Sequence, residues 1–115
     1  MKLDFSHTRI IIKPGTTNMQ YSRDQLLEIV KSIMKEDPFS GAVFLFCNRS
    51  RKILKMIWWD RTGFWVAQKR LEKERWPWPD TQKQVRQLNM DQIEMLLKGV
   101  DFFKGHEELH FSEIN

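Results

Sequence analysis

The spacing of apolar positions divides the chain into short alternating stretches and two helical ones. Arg9 to Lys13 is β-branched and runs into Pro14-Gly15, which predicts a short strand closed by a turn. Ser22 stands before a helical pattern, with Gln25 at the capping-box position and Tyr21 placed to staple on Leu26. Leu26, Leu27, Val30, Ile33 and Met34 then fall on one helical face, and Asp37-Pro38 is the expected stop. Ala42 to Cys47 is continuously apolar and predicts a buried strand, followed by a polar hairpin loop at Asn48 to Arg51. Ile53 to Trp59 and Phe64 to Lys69 read as partner strands around Asp60-Arg61-Thr62-Gly63, with Gly63 as the residue able to take a positive φ.

Beyond this meander, Pro77 and Pro79 forbid regular helix around Trp78, and Val85 to Leu88 reads as a short edge strand. Asn89 is the cap expected for a second helix, with Gln92 at the capping-box position and Leu88 stapling on Ile93. Leu96 and Leu97 continue its stripe, and Gly99 stops it. The sum is an α+β fold in the order β-α-β-β-β-(β)-α, a small antiparallel β-meander of three to five strands packed against two helices. One domain over residues 1–103 is expected, with residues 104–115 as an acidic, flexible tail. Pairing Trp59 with Phe64 puts Lys55, Ile57 and Trp59 on one face with Phe64, Val66, Gln68 and Arg70. Leu54, Met56 and Trp58 share the other with Trp65, Ala67 and Lys69. Both faces carry large apolar groups, so alternation alone leaves open which of them is core.

A chain of 115 residues has room for one hydrophobic core, and 41% apolar with 30% charged residues is ordinary globular composition. Cys47 has no second cysteine to pair with, which fits a reducing compartment, and its apolar run reads as burial rather than catalysis. Met1 to Phe5 lacks the apolar segment of a signal peptide and no stretch is long enough to cross a bilayer, so the expectation is a cytoplasmic protein. Charge is unevenly placed. Arg49 to Arg75 holds nine Lys or Arg against three acidic residues, while from Asp91 onward six acidic residues face two Lys. That asymmetry points to a polyanion near the middle of the chain or to a surface charged only for solubility.

Catalytic chemistry finds little support. His106-Glu107-Glu108-Leu109-His110 has the spacing of a zinc-hydrolase helix, but it lies outside the expected helices with no third ligand in view. Asp24, Asp37, Asp60 and Asp101 form no convergent set for paired metals, and no glycine-rich phosphate loop is present. The expectation is therefore no catalytic residue, no metal, no cofactor and no small-molecule substrate. What stands out is a basic aromatic cluster. Lys52, Lys55, Arg61, Lys69, Arg70, Lys73 and Arg75 interleave with Trp58, Trp59, Phe64, Trp65, Trp76 and Trp78, the composition of a groove that neutralises phosphates beside aromatic rings. Packing competes for every one of those rings.

Asp37-Pro38-Phe39-Ser40-Gly41 followed by Phe44 and Phe46, then Lys55, Trp59-Asp60, Gly63, Lys69-Arg70-Leu71-Glu72 and Trp78-Pro79, with Leu96-Leu97, Gly99 and Asp101, form a specific ensemble. In these residues the chain resembles the TnpB accessory proteins, also called Orf two, of bacterial insertion sequences of the IS-sixty-six type. The likeness runs from about Arg9 to Asp101. One stretch departs from it, since Met19-Gln20-Tyr21-Ser22 stands where the family usually has Met-Arg-Lys-Gly and so lacks two positive charges and a glycine. The resemblance implies a non-catalytic role in transposition beside a separate transposase. The partners it implies are the DNA of the insertion-sequence ends, or the transposase and the other accessory protein of the same element. The DNA contacts expected on that basis are Arg49, Arg51, Lys55, Trp59, Lys69, Arg70 and Arg75; the alternative is an adaptor that docks on the transposase through exposed aromatics.

Overall fold

The structure is a computed structural model, and it describes residues 9–96 and 98. Its frame is one sheet of strands β1 (Ile10–Ile12), β2 (Val43–Cys47), β3 (Ile53–Trp59) and β4 (Phe64–Arg70), arranged in chain order. β2, β3 and β4 form the expected antiparallel meander, with Trp59 opposite Phe64 and Phe44 opposite Ile57. β1 joins β2 in parallel, Ile11 opposite Phe44, so the sheet is mixed. A parallel neighbour needs a crossover, and α1 (Arg23–Ser32) supplies it.

Both faces of the central strands β2 and β3 are core, which resolves the ambiguity of the alternation. Phe44, Phe46 and Ile57 point to one side and pack with Leu26 and Val30 of α1. Val43, Leu45, Cys47, Leu54, Met56 and Trp58 point to the other, where Trp76, Trp78 and Leu96 cover them. A strand sandwiched in this way has no polar face to display, and so β2 reads as an unbroken apolar run.

α1 starts as its sequence dictates. The Ser22 hydroxyl accepts from the Gln25 N–H while the Gln25 side chain accepts from the Ser22 N–H, a complete capping box. It ends before the expected stop. Ile33 is the C-cap, its N–H still on the Ile29 carbonyl, and stands 65% exposed, and the chain turns out through Lys35 at φ 57.

Where an edge strand was expected at Val85 to Leu88, Val85 and Arg86 end a short helix, α2 (Gln82–Arg86), and Gln87 caps it. Thr81 caps it by accepting from the Gln84 N–H at 3.1 Å. Val85 and Leu88, the half-buried positions, lie three apart, which is helical rather than alternating spacing. Residues 90–96 are helical again, and the box at Asn89 is closed, with Gln92 N–H donating to the Asn89 side chain at 2.8 Å and Asn89 N–H to that of Gln92 at 2.9 Å. The expected tail at residues 104–115, His106 and His110 lie outside the described residues.

Candidate nucleic-acid interface

The end of the sheet where β2 turns into β3 gathers most of the expected contacts. The Asn48 side-chain carbonyl accepts from the N–H groups of Lys52 and Ile53 at 3.0 and 2.9 Å, and its amide donates to the Ser50 hydroxyl. Arg51 completes the turn at φ 63, donating its N–H to the Asn48 carbonyl. Arg49 is thereby held exposed at the tip. β4 ends at the same rim, since Arg70 lies opposite Ile53 and the next residue, Leu71, donates its N–H to the Lys52 carbonyl. The segment that follows carries Lys73 and Arg75 in the open, and returns where the Trp76 N–H meets the Arg51 carbonyl at 2.7 Å.

Arg49, Arg70, Lys73 and Arg75 are exposed and have no ion-pair partner among the described residues. Arg51 differs: its guanidinium meets the Asp80 carboxylate at 2.8 Å. That partner lies 29 residues away, and nothing in the local sequence announces it. Glu72 and Glu74 interrupt the basic loop and are exposed as well.

The other expected contacts go elsewhere. Lys55 sits mid-strand on the α1 face, half-buried, and its Nζ donates to the Met19 carbonyl at 3.3 Å. Lys69, half-buried, is on the opposite face of the sheet from Arg70. Trp59 lies at the far end of β3, edge-on to Phe39 at 5.1 Å and 5.0 Å from Phe64. Trp58, Trp76 and Trp78 are all under 5% exposed, so their rings pack and cannot stack on bases. Trp65 is half-buried, stacked on Trp58.

Several residues of the family-like ensemble prove to be turn-makers. Asp37 accepts from the Phe39 N–H at 2.9 Å, Ser40 from that of Ala42 at 3.2 Å, and Gly41 takes φ 87. This turn presents Phe39, 59% exposed and not among the expected contacts, beside Trp59 and Phe64. Asp60 organises the β3–β4 turn by accepting from the Thr62 N–H and hydroxyl, the Gly63 N–H and the Trp65 indole. Burial pulls its carboxyl upward, but these hydrogen bonds outweigh it and hold the group below the usual carboxylate value. The positive φ in this turn belongs to Arg61, at 83°, and not to Gly63.

Nothing described offers a catalytic constellation. Cys47 is buried, and desolvation pushes its thiol up to about 11, which suits a packing residue. A hollow of about 800 Å³ runs along β1 between the end of α1 and α2. Its acidic groups are engaged, Glu36 with Arg9 at 3.5 Å and Asp80 with Arg51. Among the described residues no group of His, Cys, Asp and Glu could hold a metal ion, and no helix is long and apolar enough to cross a membrane.

The family model described as IS66 Orf2 like protein matches residues 8–107. Two proteins of Sinorhizobium fredii (strain NBRC 101917 / NGR234) are similar. Uncharacterized protein y4hO is 32% identical over 96 residues, covering 84% of each chain. Uncharacterized protein y4jC is 23% identical over 94 residues, covering 82% of this chain and 80% of its own. No solved structure matches.

Proposed function

Because the chain belongs to the IS66 Orf2 like protein family of insertion sequences, we propose that it is a non-catalytic accessory of transposition that grips the DNA backbone with the basic end of its sheet. The observation that carries this reading is the set of exposed cations Arg49, Arg70, Lys73 and Arg75, without an ion-pair partner among the described residues, beside a rigid turn. Phosphate contacts position a protein on a duplex and need no aromatic ring. With three of the tryptophans buried, recognition on this reading is electrostatic and tolerant of sequence, and a separate transposase selects and cuts the element ends. Arg51 supports the turn from behind, and Lys55 acts by fixing the loop that leads into α1.

A protein neutralising about four phosphates should lose affinity with a log–log salt slope of roughly −3 to −4. Removing Arg49 and Arg75 together (Arg49→Ala with Arg75→Ala) should flatten that slope by about 2 units, read by fluorescence anisotropy on a short duplex. No binding to duplex at 20–50 mM salt, as an order-of-magnitude low-salt condition, would sink the reading. The runner-up is an adaptor role towards the transposase or the other accessory protein, favoured by the exposed Phe39 ring. It gains the upper hand if the purified protein ignores DNA yet co-purifies with transposase after nuclease treatment.

A further inference from the structure

The outer edge of β4 is organised for strand pairing. The Asp60 N–H meets the Gly63 carbonyl and the Leu71 N–H meets the Lys52 carbonyl, which fixes the phase of the β3–β4 ladder. In that phase Trp65, Ala67 and Lys69 spend their backbone groups on β3. Phe64, Val66, Gln68 and Arg70 therefore turn their N–H and C=O groups away from it. No described residue bonds to those outward groups. The side chains of these residues lie on the α1 face, where Val66 is 42% exposed and Phe64 sits in the cluster with Phe39 and Trp59.

We infer that β4 pairs antiparallel with β4 of a second copy of this chain, about a two-fold axis at Ala67. In that register all four outward residues of the strand pair among themselves, whereas a two-residue slip keeps the phase but carries one of them past the end of the partner strand. Phe64 falls opposite Arg70 and Val66 opposite Gln68, so all the outward groups are used. The arginine of one protomer then lies across the Phe64, Phe39 and Trp59 rings of the other, a cation on an aromatic surface at each end. Charge complementarity thus favours a second copy over an unrelated strand: the edge carries a cation at one end and ring faces at the other, and antiparallel pairing brings each to its opposite. A slip that sets Arg70 nearer to its own counterpart places cations side by side and leaves outward groups unpaired. The other sheet edge competes poorly, because β1 has only three residues. The result is an eight-stranded sheet with two basic rims facing opposite ways. This goes beyond the DNA reading and is tested apart from it; in the dimer Arg70 belongs to the seam, which leaves Arg49, Lys73 and Arg75 to each basic rim.

The axis makes the test specific. Residue 67 meets itself as a non-hydrogen-bonded pair, with Cα atoms about 4.5 Å apart, a separation that a disulfide spans. Under mild oxidation, full-length Ala67→Cys should give a covalent dimer in high yield, while Gln68→Cys, whose partner would be Val66, should not. Sedimentation of the unmodified chain should show a species of twice its 13.9 kDa mass. Val66→Pro should shift it to monomer without loss of fold by circular dichroism, since that N–H points away from β3 and an edge strand tolerates proline there. Val66→Lys serves as a second disrupting variant should the proline unfold the chain. A monomer at about 100 μM, well above the dissociation constants of standard dimer interfaces, would overturn the inference. So would equal crosslinking at 67 and 68, or a dimer indifferent to both Val66 variants.

Discussion

Among single residues, Asp60 concentrates the most bonding in the least space, and its type follows from the geometry. A short carboxylate at the first position of a tight turn reaches the N–H groups two and three residues on, and here also the Thr62 hydroxyl and the Trp65 indole. Asp60→Ala should cost about 1–3 kcal/mol by urea denaturation, the range for leaving several polar partners unmet. The carboxyl is depressed in the folded state, so its contribution is complete above the unfolded value of about 4 and is lost as pH falls through the folded value. The Ala variant should lack that part of the acid decline. The sequence showed Asp60 as a turn residue. It did not show the indole bond, because a residue's local pattern carries no sign of which side chain folds over it. Arg51 teaches the same lesson, since charge and position marked it as a DNA contact and only the distant Asp80 shows it engaged.

At the scale of elements, what was legible was whatever is enforced locally. The capping boxes at Ser22 and Asn89 and the register Trp59–Phe64 depend on residues within a few positions of each other, and all are present. The parallel docking of β1 was not legible, because it depends on the crossover of α1. The helix at Gln82–Arg86 was not legible because it is only five residues long, with one half-buried position, Val85, inside it, too few to set a period. The turns allow a paired prediction. Gly41, at φ 87, should lose about 1 kcal/mol or more when changed to Ala, whereas Gly63→Ala should be neutral within about 0.5 kcal/mol. Gly63 has no positive φ, and a methyl group there would meet nothing within 4 Å. Thermal melts of the two variants side by side would decide it, and equal losses would contradict the assignment of Arg61 as the left-handed residue.

Over the whole molecule, the segment after β4 is tied back to the residues that follow β1 through the indole of Trp78. Trp78 Nε1 donates to the carbonyls of Lys13 and Gly15, at 3.1 and 2.8 Å, and the Gly15 N–H returns a bond to the Pro79 carbonyl at 2.9 Å. Trp78→Phe keeps an aromatic ring over the sheet but removes the donor, and should destabilise by about 1–3 kcal/mol. Amide exchange should speed up most in β1, the element that the indole secures; uniform acceleration across the sheet would argue against a local clasp. The order of synthesis gives this clasp a second meaning. A nascent chain can assemble the meander as soon as β4 has cleared the ribosome, yet the clasp beyond its first strand waits for a tryptophan translated more than sixty residues later. Until then β1 is held to the sheet through its pairing with β2 alone, an edge strand without its fastening.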